Sequence, residues 1–226
     1  MRAVRLYGTR DVRVDDVPMP TIREDGDAII QLAAACVCGS DLWAYRGVDP
    51  IAEPISVGHE YCGIVQDVGP SVMRIKPGDF VVGSFFASDN TCVICRSGYQ
   101  SGCLDRRGMG AENCQAEYLR VPLADGTLVA TPRIPEPDLV PHLLAASDVL
   151  GTGWFAAKAA EVGPGKTVAV IGDGAVGLMA VLAAKELGAE RIIAMSRHEP
   201  RQKLALEFGA TDIVAERGDE GVARIK

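Results

Sequence analysis

Along the first part of the chain, short runs of Val, Ile and Ala alternate with polar residues and are cut by Gly, Pro and Asp. MRAVRLYG, DVRVDDVPMP, DAIIQLAAACVC, HEYCGIVQDVG, DFVVGSFFA and AEYLRVPL all read this way. Alternation with period two predicts strands with one buried face, and many such strands between turn residues predict a small barrel or a sandwich. From about Leu139 the texture changes, because LVPHLLAASDVLGTGWFAAKAAEV is rich in Ala and Leu at helical spacing. Beyond PGK the chain reads strand (TVAVIG), glycine turn, helix (AVGLMAVLAAKELG), strand (RIIAMS), helix (PRQKLALEFG) and short strand (TDIVAE). That βαβαβ series predicts the first half of a doubly wound parallel sheet. The expected fold class is α/β plus β, divided into residues 1–150 and 151–226.

A full doubly wound dinucleotide fold has six strands, and only three are legible here. Three more strands with their crossovers would need roughly 90 residues. The chain therefore reads as part of a longer protein or as a shortened one.

Composition narrows the function classes. A formal net charge of -7 with no compensating Lys or Arg run argues against a nucleic-acid partner. The N-terminal residues alternate apolar and charged positions without an apolar h-region, so no signal peptide is expected and a cytoplasmic setting is. The longest apolar stretch, Thr167 to Lys185, contains Asp173 and three glycines, which suits a strand-turn-helix unit and not a membrane span. Seven cysteines without an export signal favour reduced thiols and metal ligands over disulfides. Cys36 and Cys62, among apolar neighbours, read as small buried hydrophobes.

VAVIGDGAVG sets Gly172, Gly174 and Gly177 in G-x-G-x-x-G register after a strand and at the start of a helix. The first glycine permits the turn, the second lets backbone approach a pyrophosphate, and the third allows close helix packing. Gly172, Gly174, Ala175, Val176 and Gly177 are therefore the expected dinucleotide cradle. A site for NAD would carry an acid at the end of the second strand, where this chain has Ser196 and Arg197. A hydroxyl and a guanidinium suit a 2′-phosphate, so NADP is expected ahead of NAD. The alternative is a solvated loop with Arg197 and Arg201 as surface charges.

CGSD at residues 38–41 and GHE at 58–60 offer a thiolate and an imidazole from separate loops. A catalytic zinc takes three protein ligands and keeps one position open. Asp148 in SDVLGTG is the candidate third ligand beside Cys38 and His59. Read singly, Cys38 is a buried thiol, His59 a core histidine and Asp148 a helix cap.

GHEYCGIVQDVGPSV, with CGSDLW, PGDFVV, the Cys92–Cys103 lobe, DVLGTG and GDGAVGLM in that order, resembles the zinc-dependent medium-chain alcohol dehydrogenases over the whole chain. The resemblance implies a GroES-like barrel followed by a Rossmann domain, here a partial one, with the active site in the cleft between them. It implies that Cys38, His59 and Asp148 hold a catalytic zinc with Glu60 beside it. Ser40 would receive the alcohol proton, and Thr152 would pack near the nicotinamide. It also implies a small alcohol, aldehyde or ketone as substrate and a homo-oligomer, a dimer or tetramer, when full length. SRHEPR is similar to the phosphate-recognising loop of NADP-dependent microbial secondary-alcohol members. One departure is Trp43, where many relatives carry a histidine that relays protons. The proton route would then run through Ser40 and water or the cofactor ribose, with Trp43 walling the substrate pocket.

The family's lobe uses four cysteines with two, two and seven residues between them. DNTCVICRSGYQSGC has only three. Matching the gaps aligns Cys92, Cys95 and Cys103 and puts Asp89 where the first thiolate would be. A structural zinc held by Asp89, Cys92, Cys95 and Cys103 is expected, against a lobe that has lost its metal or recruits Cys114. A zinc-stabilised binding module without catalysis is the alternative function.

Overall fold

The computed structural model describes residues Met1–Lys226 and divides into two compact units, Met1–Ser147 and Asp148–Lys226. The first unit opens with strands β1 (Arg2–Gly8), β2 (Asp11–Asp16) and β3 (Ala28–Ala35). A short helix α1 (Asp41–Tyr45) leads to β4 (Ile55–Ser56), β5 (Tyr61–Val68), β6 (Phe80–Gly83) and β7 (Phe86–Ala87). Then come α2 (Val93–Arg96), β8 (Arg107–Gly108), β9 (Tyr118–Val121), α3 (Ala124–Thr127), β10 (Leu128–Ala130) and α4 (Val140–Leu144). The second unit contains α5 (Val149–Ala159), β11 (Thr167–Ile171), α6 (Ala175–Glu186), β12 (Arg191–Met195), α7 (Glu199–Phe208), β13 (Asp212–Val214) and α8 (Gly218–Ile225).

Two antiparallel sheets make up most of the first unit, in the orders β2-β1-β4 and β10-β6-β5-β3-β9. Hydrogen bonds from Val4 N to Gln115 O and from Glu117 N to Arg2 O, with the bridge Ala3–Ala116, join the two sheets. Inward side chains such as Ile30, Tyr61, Val65, Val81, Leu119 and Val121 form one core. At Gly63 the backbones of β3 and β5 approach so closely that a Cβ would collide with the Gln31 carbonyl oxygen.

One buried charge in this unit is held in a paired network. Asp27 is 0% exposed and Arg120 6%. Arg120 Nε and Nη2 donate to both oxygens of Asp27 at 2.7 and 3.0 Å, and its Nη1 donates to Glu112 at 2.9 Å. The backbone amides of Arg23 and Glu24 also donate to Asp27. Burial alone would push the Asp27 carboxyl up, but Arg120 and these two amides outweigh it and hold it below the ordinary range.

In the second unit, β11-β12-β13 form a parallel sheet with α6 and α7 as crossovers. The central strand is buried on both faces, as its unbroken apolar run requires. Ile192 and Ala194 pack with Leu178, Val181 and Ala205, whereas Ile193 and Met195 pack with Val214 and Ile225. The far edge of β11 is unpaired, and Ile171 on it is 73% exposed. Gly153 lets α5 cross α6 closely, since a Cβ there would strike the Ala180 backbone nitrogen.

Two local features are set by the fold. The stretch with helical spacing from Leu139 forms two helices, α4 and α5, separated by residues 145–148. In that break the Ser147 hydroxyl donates to Gly83 O at 2.5 Å and accepts from Tyr61 N at 3.0 Å. The last residues form α8, which carries Ile225 onto the face of β12 and β13.

Replacing Asp27 with Asn removes the most buried of the carboxylates on Arg120 and leaves it paired with Glu112 and Glu24, which should cost about 1.5–3 kcal/mol in chemical denaturation. The sign of its pH dependence follows from the lowered folded pKa. The Asp27 contribution is complete above the unfolded value of about 3.9 and is lost as pH falls through the lower folded value. Stability of the Asn variant should therefore fall less steeply on acidification than that of the parent.

Candidate metal centres and nucleotide loop

Three separate chain segments supply the first cluster. Cys38 follows the end of β3, His59 and Glu60 immediately precede β5, and Asp148 is the residue before α5. One ligand atom from each of these four residues lies within 4.8 Å of the others. A tetrahedral shell with bonds of about 2.0–2.3 Å spaces its donors by about 3.3–3.8 Å, so small side-chain rotations would close this set on an ion. The donor chemistry, one thiol, one imidazole and two carboxyls, is that of a zinc site. Glu60 is 2% exposed.

The backbone around the cluster is shaped for these positions. Gly58 has φ +84°, and a Cβ there would run into the Gln115 side chain, which donates to Cys36 O at 3.2 Å. Phe85 stands edge-on to the His59 ring with centroids 6.3 Å apart. Ser147, anchored to Tyr61 and Gly83, fixes the backbone from which Asp148 extends. Asp148 does not cap α5 with its side chain. Its Oδ1 instead accepts a 2.6 Å hydrogen bond from Thr152 Oγ1.

Asp41 is a contributor that the sequence reading left without a role. Its Oδ2 accepts from Cys38 N at 2.8 Å, and its Oδ1 lies 3.6 Å from His59 Nδ1. The Cys-x-x-Asp spacing was the available signal, since a carboxylate three residues on can reach back to the cysteine amide. Cys62 is buried beside Phe80 and Leu144, with Cys36 packed against it, and burial pushes the Cys62 thiol up to about 11. Both act as apolar filling. Ser40 lines a cavity of about 540 Å³ with Arg5, Asp41 and residues 54–58. Trp43 is 57% exposed and does not line that cavity.

Asp89, Cys92, Cys95 and Cys103 form the second cluster, again with ligand atoms within 4.8 Å. Asp89 Oδ1 accepts from Thr91 N and Cys92 N at 2.8 and 3.0 Å, which orients the carboxylate toward the thiols. Those two amides hold its pKa down at about 2. Backbone amides also point at sulfur, from Cys95 to Cys92 at 3.5 Å and from Asp89 to Cys103 at 3.4 Å. Hydrogen bonds from the Leu104 and Cys95 amides pull the Cys92 thiol down, toward the thiolate a metal needs. Cys114 is not in this group, being fully buried and bonded to Met109 O at 3.6 Å.

At the glycine turn Gly172 has φ +117°, and Gly174 is the extended residue before α6. A Cβ on Gly177 would collide with Gly172 O, so the helix starts hard against the turn. Ala175 and Val176 are exposed on the first turn of α6, and Arg197 is exposed after β12. Ser196 is 1% exposed, and its hydroxyl donates inward to Asp173 Oδ2 at 2.8 Å. Arg201 Nη1 donates to the other oxygen of Asp173 at 3.0 Å.

Comparison with known proteins agrees with this arrangement. Residues 24–133 match the alcohol dehydrogenase GroES-like domain and residues 175–226 the zinc-binding dehydrogenase domain. The chain is 36% identical over 219 residues to zinc-type alcohol dehydrogenase B of Aspergillus flavus, covering 93% of this chain and 50% of that protein. It therefore spans about half the length of that relative. It is 34% identical to the medium chain reductase/dehydrogenase ucsI of Acremonium sp, covering 96% of this chain and 77% of the other. A crystal structure of a zinc-binding dehydrogenase from Sinorhizobium meliloti 1021, bound to NADP, superimposes with a TM-score of 0.79 at 30% identity, covering 94% of this chain and 61% of that one. No helix is long and apolar enough to cross a membrane. With both domain types matched in order, and a relative spanned over three quarters of its length, this chain belongs to the zinc-dependent medium-chain dehydrogenase family.

Proposed function

We propose that the chain carries the metal and nucleotide sites of an oxidoreductase that interconverts a small alcohol and its aldehyde or ketone, with NADP(H) favoured over NAD(H). The observation that carries this reading is the gathering of ligand atoms of Cys38, His59, Glu60 and Asp148, from three separate segments, to within 4.8 Å of one another. Cys38, His59 and Asp148 would hold the catalytic zinc, with Glu60 as an alternate ligand. When bound there, zinc supplies the Lewis acidity that polarises a substrate oxygen and lowers the pKa of an alcohol.

The remaining roles belong to the chain itself. Asp41, at Nδ1 of His59, would fix the ring so that Nε2 faces the other donors. Thr152 would keep the Asp148 carboxylate from swinging into solvent through its 2.6 Å hydrogen bond. Ser40, on the wall of its cavity, would take the alcohol proton and pass it to water. Gly172 through Gly177 would cradle the pyrophosphate at the start of α6. The Ser196–Arg197 edge would meet the adenosine ribose, where Arg197 supplies positive charge for a 2′-phosphate. That a structural relative is a complex with NADP supports this preference. Asp89, Cys92, Cys95 and Cys103 would hold a second, structural zinc.

Metal analysis of the purified chain should return two zinc per chain, falling to one in Cys38→Ser and to one in Cys95→Ser. One zinc per chain, unchanged by Cys95→Ser, would refute the second site. Titration with NADPH should shift the fluorescence of the tryptophans and bind at least several-fold more tightly than NADH, with Arg197→Ala erasing the difference. Absence of any nucleotide-induced shift would support the non-catalytic alternative.

A further inference from the structure

The nucleotide loop contains a carboxylate that the glycine pattern does not require. Asp173 sits between Gly172 and Gly174, at the turn that opens α6. Its side chain is 13% exposed, and both oxygens are occupied, one by the Ser196 hydroxyl and the other by Arg201. Ser196 is in turn fixed by Gln202, whose Nε2 donates to Ser196 O at 2.7 Å, and by its own amide, which donates to Val214 O at 3.1 Å. The hydroxyl and one guanidinium beside the end of β12 are therefore already engaged by an anion of the chain.

We propose that Asp173 is a specificity-determining residue that competes with the 2′-phosphate of a dinucleotide for Ser196 and Arg201. The proposal rests on the reading of this loop as a nucleotide site. Arg201 is 53% exposed and lies in the first turn of α7, so its long side chain is free to leave Asp173 for a ligand phosphate. Doing so separates an ion pair and brings a dianion toward a carboxylate, which penalises the phosphorylated ribose. An unphosphorylated ribose has no such conflict, and its hydroxyls are donors that a carboxylate accepts. Asp173 thus narrows the gap between the two cofactors, while Arg197 acts in the opposite sense. Burial favours a neutral Asp173, but the hydrogen bonds from Ser196 and Arg201 outweigh it and keep the carboxyl ionised.

The test is the ratio of NADH to NADPH dissociation constants for the whole chain, by fluorescence titration, repeated with 5′-AMP and 2′,5′-ADP as adenosine-end probes. Asp173→Asn is nearly isosteric, retains a hydrogen-bonding side chain and should raise that ratio about tenfold, equal to about 1.4 kcal/mol. Arg201→Gln should weaken NADPH and 2′,5′-ADP about tenfold and leave NADH and 5′-AMP within twofold. If the parent binds both dinucleotides and Asp173→Asn leaves the ratio unchanged, the role of Asp173 is overturned while the nucleotide site stands. Unchanged NADPH affinity in Arg201→Gln overturns it as well, and does not depend on the Asn variant folding. If the parent binds neither dinucleotide, the nucleotide reading falls and this inference with it.

Discussion

One buried hydroxyl holds the first cluster in register. Ser147 donates to the last carbonyl of β6 and accepts from the first amide of β5, 86 residues earlier in the chain. Those strand ends carry the approach to His59 and Glu60 on one side and to Phe85 on the other. The next residue along from Ser147 is Asp148. Without this pair of hydrogen bonds, the Tyr61 amide and the Gly83 carbonyl would be buried and unmatched, at a cost of about 1–3 kcal/mol for each group. A fold-level constraint and a site-level one are thus met by the same side chain.

The two clusters use different physics to keep anionic donors together. In the lobe, backbone amides do the work: two hold Asp89 and others point at the sulfurs of Cys92 and Cys103. In the other cluster the donors come from three segments, and side chains brace them. Asp41 reaches the Cys38 amide and the His59 ring, and Thr152 holds Asp148. A short loop can aim its own amides at its own ligands. Ligands far apart in sequence need bracing that is itself assembled by the fold.

Much of this was legible in the sequence for the same reason. The strands over Ala28–Ala35 and Tyr61–Val68, the parallel βαβαβ series, and the groups at Cys38, His59 and Gly172 are local patterns, each readable within a dozen residues. Asp89 stood out only through the resemblance, whose lobe carries a cysteine at that gap. What escaped depends on distant partners. Ser147 looks like one polar residue in an apolar helix until Tyr61 and Gly83 are beside it. Helix α8 begins with Gly218 and contains Gly221, both unfavourable for a helix, and it forms where Ile225 meets Ile193, Met195 and Val214. The partner of Ser196 was likewise hidden, because its position in the chain does not reveal that Asp173, 23 residues earlier, lies within reach.

The crossing of α5 over α6 at Gly153 has a mechanical meaning. Most helix pairs meet through side chains, which yield by changing rotamer. Here backbone meets backbone, at Gly153 against Met179 and Ala180, so no soft layer separates the two rods. One rod begins beside Asp148, and the other begins at the glycine turn that holds Asp173. At this crossing no rotamer change is available to take up a shift of α5 against α6. Within this unit, the Asp148 carboxylate and the glycine turn before α6 are thus fixed to a single frame.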